Sequence, residues 1–206
     1  VNSGMYRLQA SHTAVPPTCR SGPGWPPTLE SVPDADPIAS LLDKQEIHEL
    51  VLRYCRGIDR FDRSAVTACF HPDATDVHGS FTGTISEFID WAFRLLERYD
   101  STMHLVANQL ITLSGDRAVT ETYGIAHHRS SDPDPRRNLT VGFRYIDLME
   151  RRTDRVWRIA ERVATTEWVT APADGNQWPI PADSAIGVRG PEDPIHQFLA
   201  RLDPST

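Results

Sequence analysis

Apolar positions at Ile47, Leu50, Val51, Tyr54, Cys55 and Ile58 recur every three or four residues, the mark of one buried helical face. Asp36-Pro37 supplies a start for that helix, an N-cap residue followed by proline. Asp43 with Glu46 supplies a second start, so the helix begins at 37 or at 44. It ends near Gly57 to Asp59. Asp62 or Ser64 opens a short second helix with Ala65, Val66, Cys69 and Phe70 apolar, and His71-Pro72-Asp73 stops it. Ala74 to Val77 and Gly79 to Thr82 read as a short strand pair. Thr84 and Glu87 then form a capping box ahead of Ile85, Phe88, Ile89, Ala92, Phe93, Leu96 and Tyr99, a third helix.

Beyond that helix the period changes to two. Strands are predicted over 103–113, 117–129, 139–150 and 156–168. Ser114-Gly115-Asp116, a longer loop containing Pro133 and Pro135, and Thr153-Asp154 join them. Helices followed by a meander of long strands define an α+β fold. The expected architecture is a cone-shaped barrel, a curved antiparallel sheet wrapped around three helices, with an internal pocket lined mostly by apolar side chains. Residues 1–36 carry prolines without periodicity and read as an N-terminal arm. The domain proper spans 37–170. Residues 171–206 form a tail with Trp178, Ile180 and Ile186 among prolines and a short helix over 194–202.

Composition narrows the function. The 206 residues carry a net charge of −7. The densest basic run, Arg151-Arg152 with Arg155 and Arg158, is interrupted by acids, which argues against nucleic-acid binding. Three cysteines, Cys19, Cys55 and Cys69, make an odd count, and the last two fall on apolar stripes. Free thiols in a reducing compartment fit better than a disulfide framework. No apolar run is long enough for a membrane span, and no secretory signal is visible, so a cytoplasmic location is expected. No glycine-rich nucleotide loop and no nucleophile elbow occurs, and no cofactor is expected. His127-His128 with His104 raises the question of a metal, but strand neighbours point to opposite faces, and none is expected. Acid/base chemistry by Asp, His and Tyr remains.

Asp59 flanks the buried stripe of the first helix, close to Tyr54. A carboxylate there either turns inward and requires a partner, or caps the next helix or meets an arginine at the surface. On the first long strand, strict alternation puts Thr102, His104, Val106, Asn108 and Leu110 on one side, with Met103, Leu105, Ala107, Gln109 and Ile111 on the other. On the second, Val119, Tyr123, Ile125 and His127 share a face. His104 and His127 thus stand among apolar neighbours on adjacent strands. Both faces of the sheet are largely apolar, which predicts a homo-oligomer.

The series Tyr54-x4-Asp59-x2-Asp62, then Cys69-Phe70-His71-Pro72-Asp73-Ala74, Ser101-Thr102-Met103-His104 and Val156-Trp157-Arg158-Ile159 resembles the SnoaL-like branch of the nuclear transport factor 2-like superfamily. The resemblance covers residues 38 to 170. It implies the cone fold and assembly as a dimer or trimer. Three lyases of that superfamily, scytalone dehydratase, hexachlorocyclohexane dehydrochlorinase and bile-acid 7α-dehydratase, pair an Asp ending the first helix with a His from the first long strand. Asp59 and His104 match those places. Tyr54 matches a tyrosine of the bile-acid enzyme, and Ala126-His127-His128-Arg129 is similar to a second histidine segment of scytalone dehydratase. Arg162, or Arg158, matches a late arginine of the dehydrochlorinase. The implied function is a cofactor-independent dehydratase or isomerase acting on a hydrophobic cyclic small molecule, steroid- or polyketide-like. His104 would be the base, with Tyr54 or His127 as hydrogen-bond donor or acid. Phe61, Phe70, Trp91, Asn108, Tyr123, Tyr145 and Arg162 are the expected substrate contacts, beside Phe93, Val106 and Phe143. Two other readings fit the same fold: a non-catalytic small-molecule binder, and the small subunit of a ring-hydroxylating oxygenase.

Overall fold

A computed structural model describes residues 36–131, 138–171, 189, 190 and 192, all within one compact unit that begins at Ala35. Helix α1 (Pro37–Asp59) is continuous, so the earlier of the two starts is used. The Asp36 carboxylate accepts the Ile38 N–H, and Pro37 occupies the first turn, where a missing N–H costs nothing. Asp62 caps the short helix α2 (Arg63–Ala68) through the Ala65 N–H. The two helices meet closely at Gly57: a Cβ there would lie 2.8 Å from Val66 Cγ2. Helix α3 (Ile85–Leu96) opens on the full Thr84/Glu87 capping box, and its residues Ile85, Phe88, Ile89, Ala92, Phe93 and Leu96 are buried.

Six strands form one sheet: β1 (Phe70–His78), β2 (Phe81–Thr84), β3 (Ser101–Ser114), β4 (Arg117–Arg129), β5 (Leu139–Arg151) and β6 (Trp157–Thr170). Their order is β2-β1-β6-β5-β4-β3, an open curved sheet with β2 and β3 at its edges. The fold is α+β, as expected. The sheet is antiparallel except at one pair, where β1 runs parallel to β6. The first strand also begins earlier than Ala74. His71-Pro72-Asp73 ends α2 but lies within β1, where Phe70 already pairs with Ile159. Helix α1 packs on β3 and β6, and α3 packs on β1 and β2, so the helices cover the inner face of the sheet.

A bulge in β3 determines what faces inward. Val106 pairs with Gly124 but Gln109 with Thr122, so three residues of β3 span what two span on β4. Strict alternation therefore fails at Ala107–Asn108. Before the bulge Thr102, His104 and Val106 face in; after it Gln109, Ile111 and Leu113 do. Asn108 and Leu110 turn outward and are exposed, contrary to the alternation expected from the sequence. Gln109, turned inward, meets His48 of α1 at 2.9 Å and donates to Thr122 at 2.8 Å.

The outer face of the sheet carries many apolar side chains around a charged cluster of Glu121, Arg144 and Glu167. Met103, Leu105, Leu110, Val119, Tyr123, Ile125, Ile146 and Trp168 are exposed there, Leu110 by 56% and Met103 by 52%. Cys55 and Cys69 are buried free thiols; burial pushes their pKa values up to about 12 and about 11, which makes them inert hydrophobes. No helix among the described residues is long and apolar enough to cross a membrane. The proline-rich arm, Cys19, the loop carrying Pro133 and Pro135, Trp178 and the expected helix over 194–202 lie outside the described residues.

Candidate active site

Asp59 is the last residue of α1, and its side chain turns into the protein, where it is 7% exposed. One carboxylate oxygen lies 2.7 Å from His104 Nδ1, and the other accepts the His104 backbone N–H at 2.8 Å. A single acid thus grips both the ring and the main chain of β3. Burial works to raise the Asp59 pKa, but the hydrogen bonds and charge of His104 outweigh it and hold the carboxyl below its ordinary value. An ionised carboxylate only accepts, so His104 Nδ1 must carry the proton. Nε2 is then the basic nitrogen, and it has no hydrogen-bond partner among the described residues.

The second histidine near His104 is His128. His104 pairs with Ala126 in register, so every second residue of β4 from Ala126 shares its face, which includes His128. The two rings lie 6.1 Å apart, edge to face, and His128 rests on Tyr99 at 4.9 Å. Burial, helped by repulsion from His104, lowers the His128 pKa from 6.5 to about 4. His127 sits on the opposite, outer face and bonds Thr140 at 2.9 Å. The sequence reading grouped Val119, Tyr123, Ile125 and His127 correctly, but theirs is the face away from His104. Tyr123 accordingly packs beside Arg144 outside the sheet. No group of three or more metal-binding side chains occurs among the described residues.

These two pKa shifts have a consequence for stability. Below pH 6.5 the unfolded chain protonates His128 while the folded chain does not until about pH 4. Stability therefore falls through that window, by up to about 3 kcal/mol for this one group. Asp59 acts in the same direction: its contribution is present above the unfolded carboxyl pKa and is lost as pH falls through the depressed folded value. Urea unfolding at stepped pH should show a decline between pH 6.5 and 4, and His128→Phe should flatten it. An unchanged slope in that variant would refute the assignment.

From His104 the inner face continues as a string of rings. Phe143 lies 5.9 Å from His104 and 4.4 Å from Tyr145. Tyr145 is 5.7 Å from Tyr54 and 6.0 Å from His78. His78 stacks on Phe88, with Trp91 and Phe81 beyond. Gly124 makes this possible, because a Cβ there would sit 2.3 Å from the Phe143 ring. Phe70 packs edge-on against Tyr54. Phe61 instead meets Phe93 and lines a separate groove of about 410 Å³ between α1 and α2, which includes neither Asp59 nor His104.

Arg162 is fully buried and donates from Nε and Nη2 to Asp147 at 2.7 and 2.8 Å. Its guanidinium sits in the corner made by the perpendicular rings of Tyr54 and Tyr145, 4.2 and 4.1 Å from their centres. Arg158 pairs with Asp154 near the β5–β6 turn, so of the two candidate arginines only Arg162 reaches the interior. Burial raises the Tyr54 phenol well above its ordinary pKa, against the opposing pull of Arg162. No ring contact or hydrogen bond joins Tyr54 to His104 among the described residues. Sequence reasoning missed Asp147 as the partner of Arg162. The signal was a lone acid alternating with Phe143, Tyr145 and Met149 on a buried strand face.

A profile of the SnoaL-like domain matches residues 39–163. The chain belongs to the SnoaL-like family. No curated protein matches this SnoaL-like chain in sequence. Solved structures with the same fold include hexachlorocyclohexane dehydrochlorinase LinA type 2, at 20% identity and a TM-score of 0.64, covering 71% of this chain and 99% of that one. The LinA type 3 enzyme of Novosphingobium barchaimii is 17% identical, with a TM-score of 0.63 and coverage of 71% and 100%. A scytalone dehydratase candidate from Novosphingobium aromaticivorans is 18% identical, with a TM-score of 0.59 and coverage of 72% and 99%. The SnoaL-like fold is thus nuclear transport factor 2-like, as the sequence resemblance implied.

Proposed function

We propose that this protein is a cofactor-independent lyase or isomerase in which His104 removes a proton from carbon beside a carbonyl or similar activating group of a cyclic small molecule. The observation that carries the reading is the buried 2.7 Å contact between Asp59 and His104 Nδ1, which leaves Nε2 as a base. Asp59 fixes the tautomer and stabilises the imidazolium that forms. His128 replaces His127 as the donor to the developing oxyanion. At neutral pH it is uncharged, so it can offer an N–H without repelling the protonated His104. Collapse of the enolate then either expels a β-hydroxyl, which leaves as water with the proton held on His104, or takes that proton back at another carbon. Phe143, Tyr145 and Trp91 would form the walls, while Asn108 and Tyr123, both on the outer face, take no part. Dehydrochlorinase and dehydratase neighbours of the same fold support proton abstraction as the reaction class.

The test is deuterium exchange at the α-carbon of a bicyclic ketone, 1-tetralone, in heavy water. Exchange above the buffer rate is expected; exchange at the buffer rate removes the base. A pure binder would take up the ketone without exchange. An oxygenase subunit would copurify with a larger iron-containing chain.

We further infer that the protein self-associates through the outer sheet face, because so wide an apolar surface is rare on a monomer. Leu105→Glu with Leu110→Glu should lower the mass measured by light scattering to that of one chain. A wild type already of single-chain mass would refute this.

A further inference from the structure

Away from His104, three polar groups meet on the inner face without satisfying one another. Asp76 of β1 is fully buried, and neither carboxylate oxygen has a hydrogen-bond partner among the described residues. His78, two residues on and on the same face, brings Nδ1 to 3.5 Å from Asp76, within ion-pair range but without hydrogen-bond geometry. Arg162 stands directly across the parallel β1–β6 pair from Asp76. Its Nε and Nη2 are committed to Asp147, while Nη1 is buried and unpartnered. Arg162 itself lies against the rings of both Tyr54 and Tyr145.

A buried carboxylate with no donor and a buried guanidinium nitrogen with no acceptor each cost free energy. A group that both donates and accepts satisfies the two at once. We propose that Asp76, His78 and Nη1 of Arg162 form a hydroxyl-binding station, which holds a neutral hydroxyl of the ligand at the end remote from His104. The hydroxyl donates to the Asp76 carboxylate and accepts from Arg162 Nη1. His78 flanks it, stacked on Phe88 at 5.1 Å. The charge balance selects this chemistry. Asp76 and Asp147 already set two carboxylates against one guanidinium, so a ligand carboxylate is repelled. A plain hydrocarbon leaves both polar groups unmet. The rings of Phe143 and Tyr145 separate the station from His104, so the ligand has ring systems between its reacting carbon and its hydroxyl.

This inference rests on the interior being the ligand site of the proposed reaction, and the experiment separates the two. Binding of 1-tetralone, 6-hydroxy-1-tetralone and 6-carboxy-1-tetralone to the full chain is measured at pH 7, with deuterium exchange at the α-carbon scored on the same samples. Wild type should bind the hydroxy ketone about tenfold more tightly than 1-tetralone, and the carboxylate at least about tenfold more weakly. Asp76→Leu should bring the ratio of hydroxy to plain ketone to about one. Asp76→Asn, which keeps the shape and a neutral acceptor, should leave an intermediate ratio. Asp76→Leu should melt no lower than wild type, because it removes a buried carboxylate that accepts no hydrogen bond. Equal affinity for the two neutral ketones, failure of the hydroxy ketone to bind, tighter binding of the carboxylate, or a preference that survives both substitutions overturns the station. A large fall in melting temperature in both variants, without any hydroxyl preference in wild type, would mean a structural water site only. Hydroxyl preference without exchange removes the reaction and leaves the station; exchange without preference does the reverse.

Discussion

His104→Ala is expected to slow deuterium exchange of 1-tetralone by about 10³-fold, the middle of the range for a positioned general base. The imidazole Nε2 is the basic nitrogen that the Asp59 contact leaves available, and alanine supplies nothing in its place. Asp59→Asn should cost a similar factor by another route. An amide can donate to Nδ1, which moves the ring proton to Nε2 and removes the base while the geometry survives. Stability gives the control. In His104→Ala, Asp59 keeps its bond from the residue 104 backbone N–H and loses only the one to the ring. The cost should be about 1–3 kcal/mol, which a domain of this size tolerates. Retention of exchange within tenfold of wild type in both variants would show that the pair serves only to tie α1 to β3.

The largest loss of stability is expected from Arg162→Met. The side chain is close in length and apolar, yet Asp147 and Asp76 would remain buried without a cation between them. Breaking one side of a buried ion pair costs about 3–5 kcal/mol. For a chain of this size that lowers the melting temperature by about 10 °C. The triple variant Arg162→Met with Asp147→Leu and Asp76→Leu should recover more than half of the loss, since apolar side chains replace all three desolvated charges. Calorimetry on the three proteins decides it. A single variant that melts within about 2 °C of wild type would mean that Arg162 does little to hold the sheet together.

The helices were legible because their signals are local. The stripe from Ile47 to Ile58, the Asp36-Pro37 start and the Thr84/Glu87 box each lie within a few turns of chain. The Asp59–His104 contact spans 45 residues, and no local period announces it; the family resemblance supplied that pairing. His127 and His128 show the limit most clearly. Adjacent residues face opposite ways, so choosing between them depends on knowing that His104 sits opposite Ala126. Asn108 was misplaced because a bulge is invisible to a strict period of two. Asp76, Asp147 and Arg162 come from three strands, and only the order β1-β6-β5 brings them together. A parallel neighbour distant in sequence is not read from hairpin spacing.

The extra residue at Ala107–Asn108 has a consequence for inheritance. It lets one strand present His104 and Gln109 to the same side although they are five positions apart, an odd number. Loss of a single codon there would leave them four apart, an even number, so plain alternation would still turn both inward and only the bulge would vanish. A descendant could therefore shed one position here and keep the inward pair, whereas shedding two would leave an odd spacing of three and turn one of them out into water.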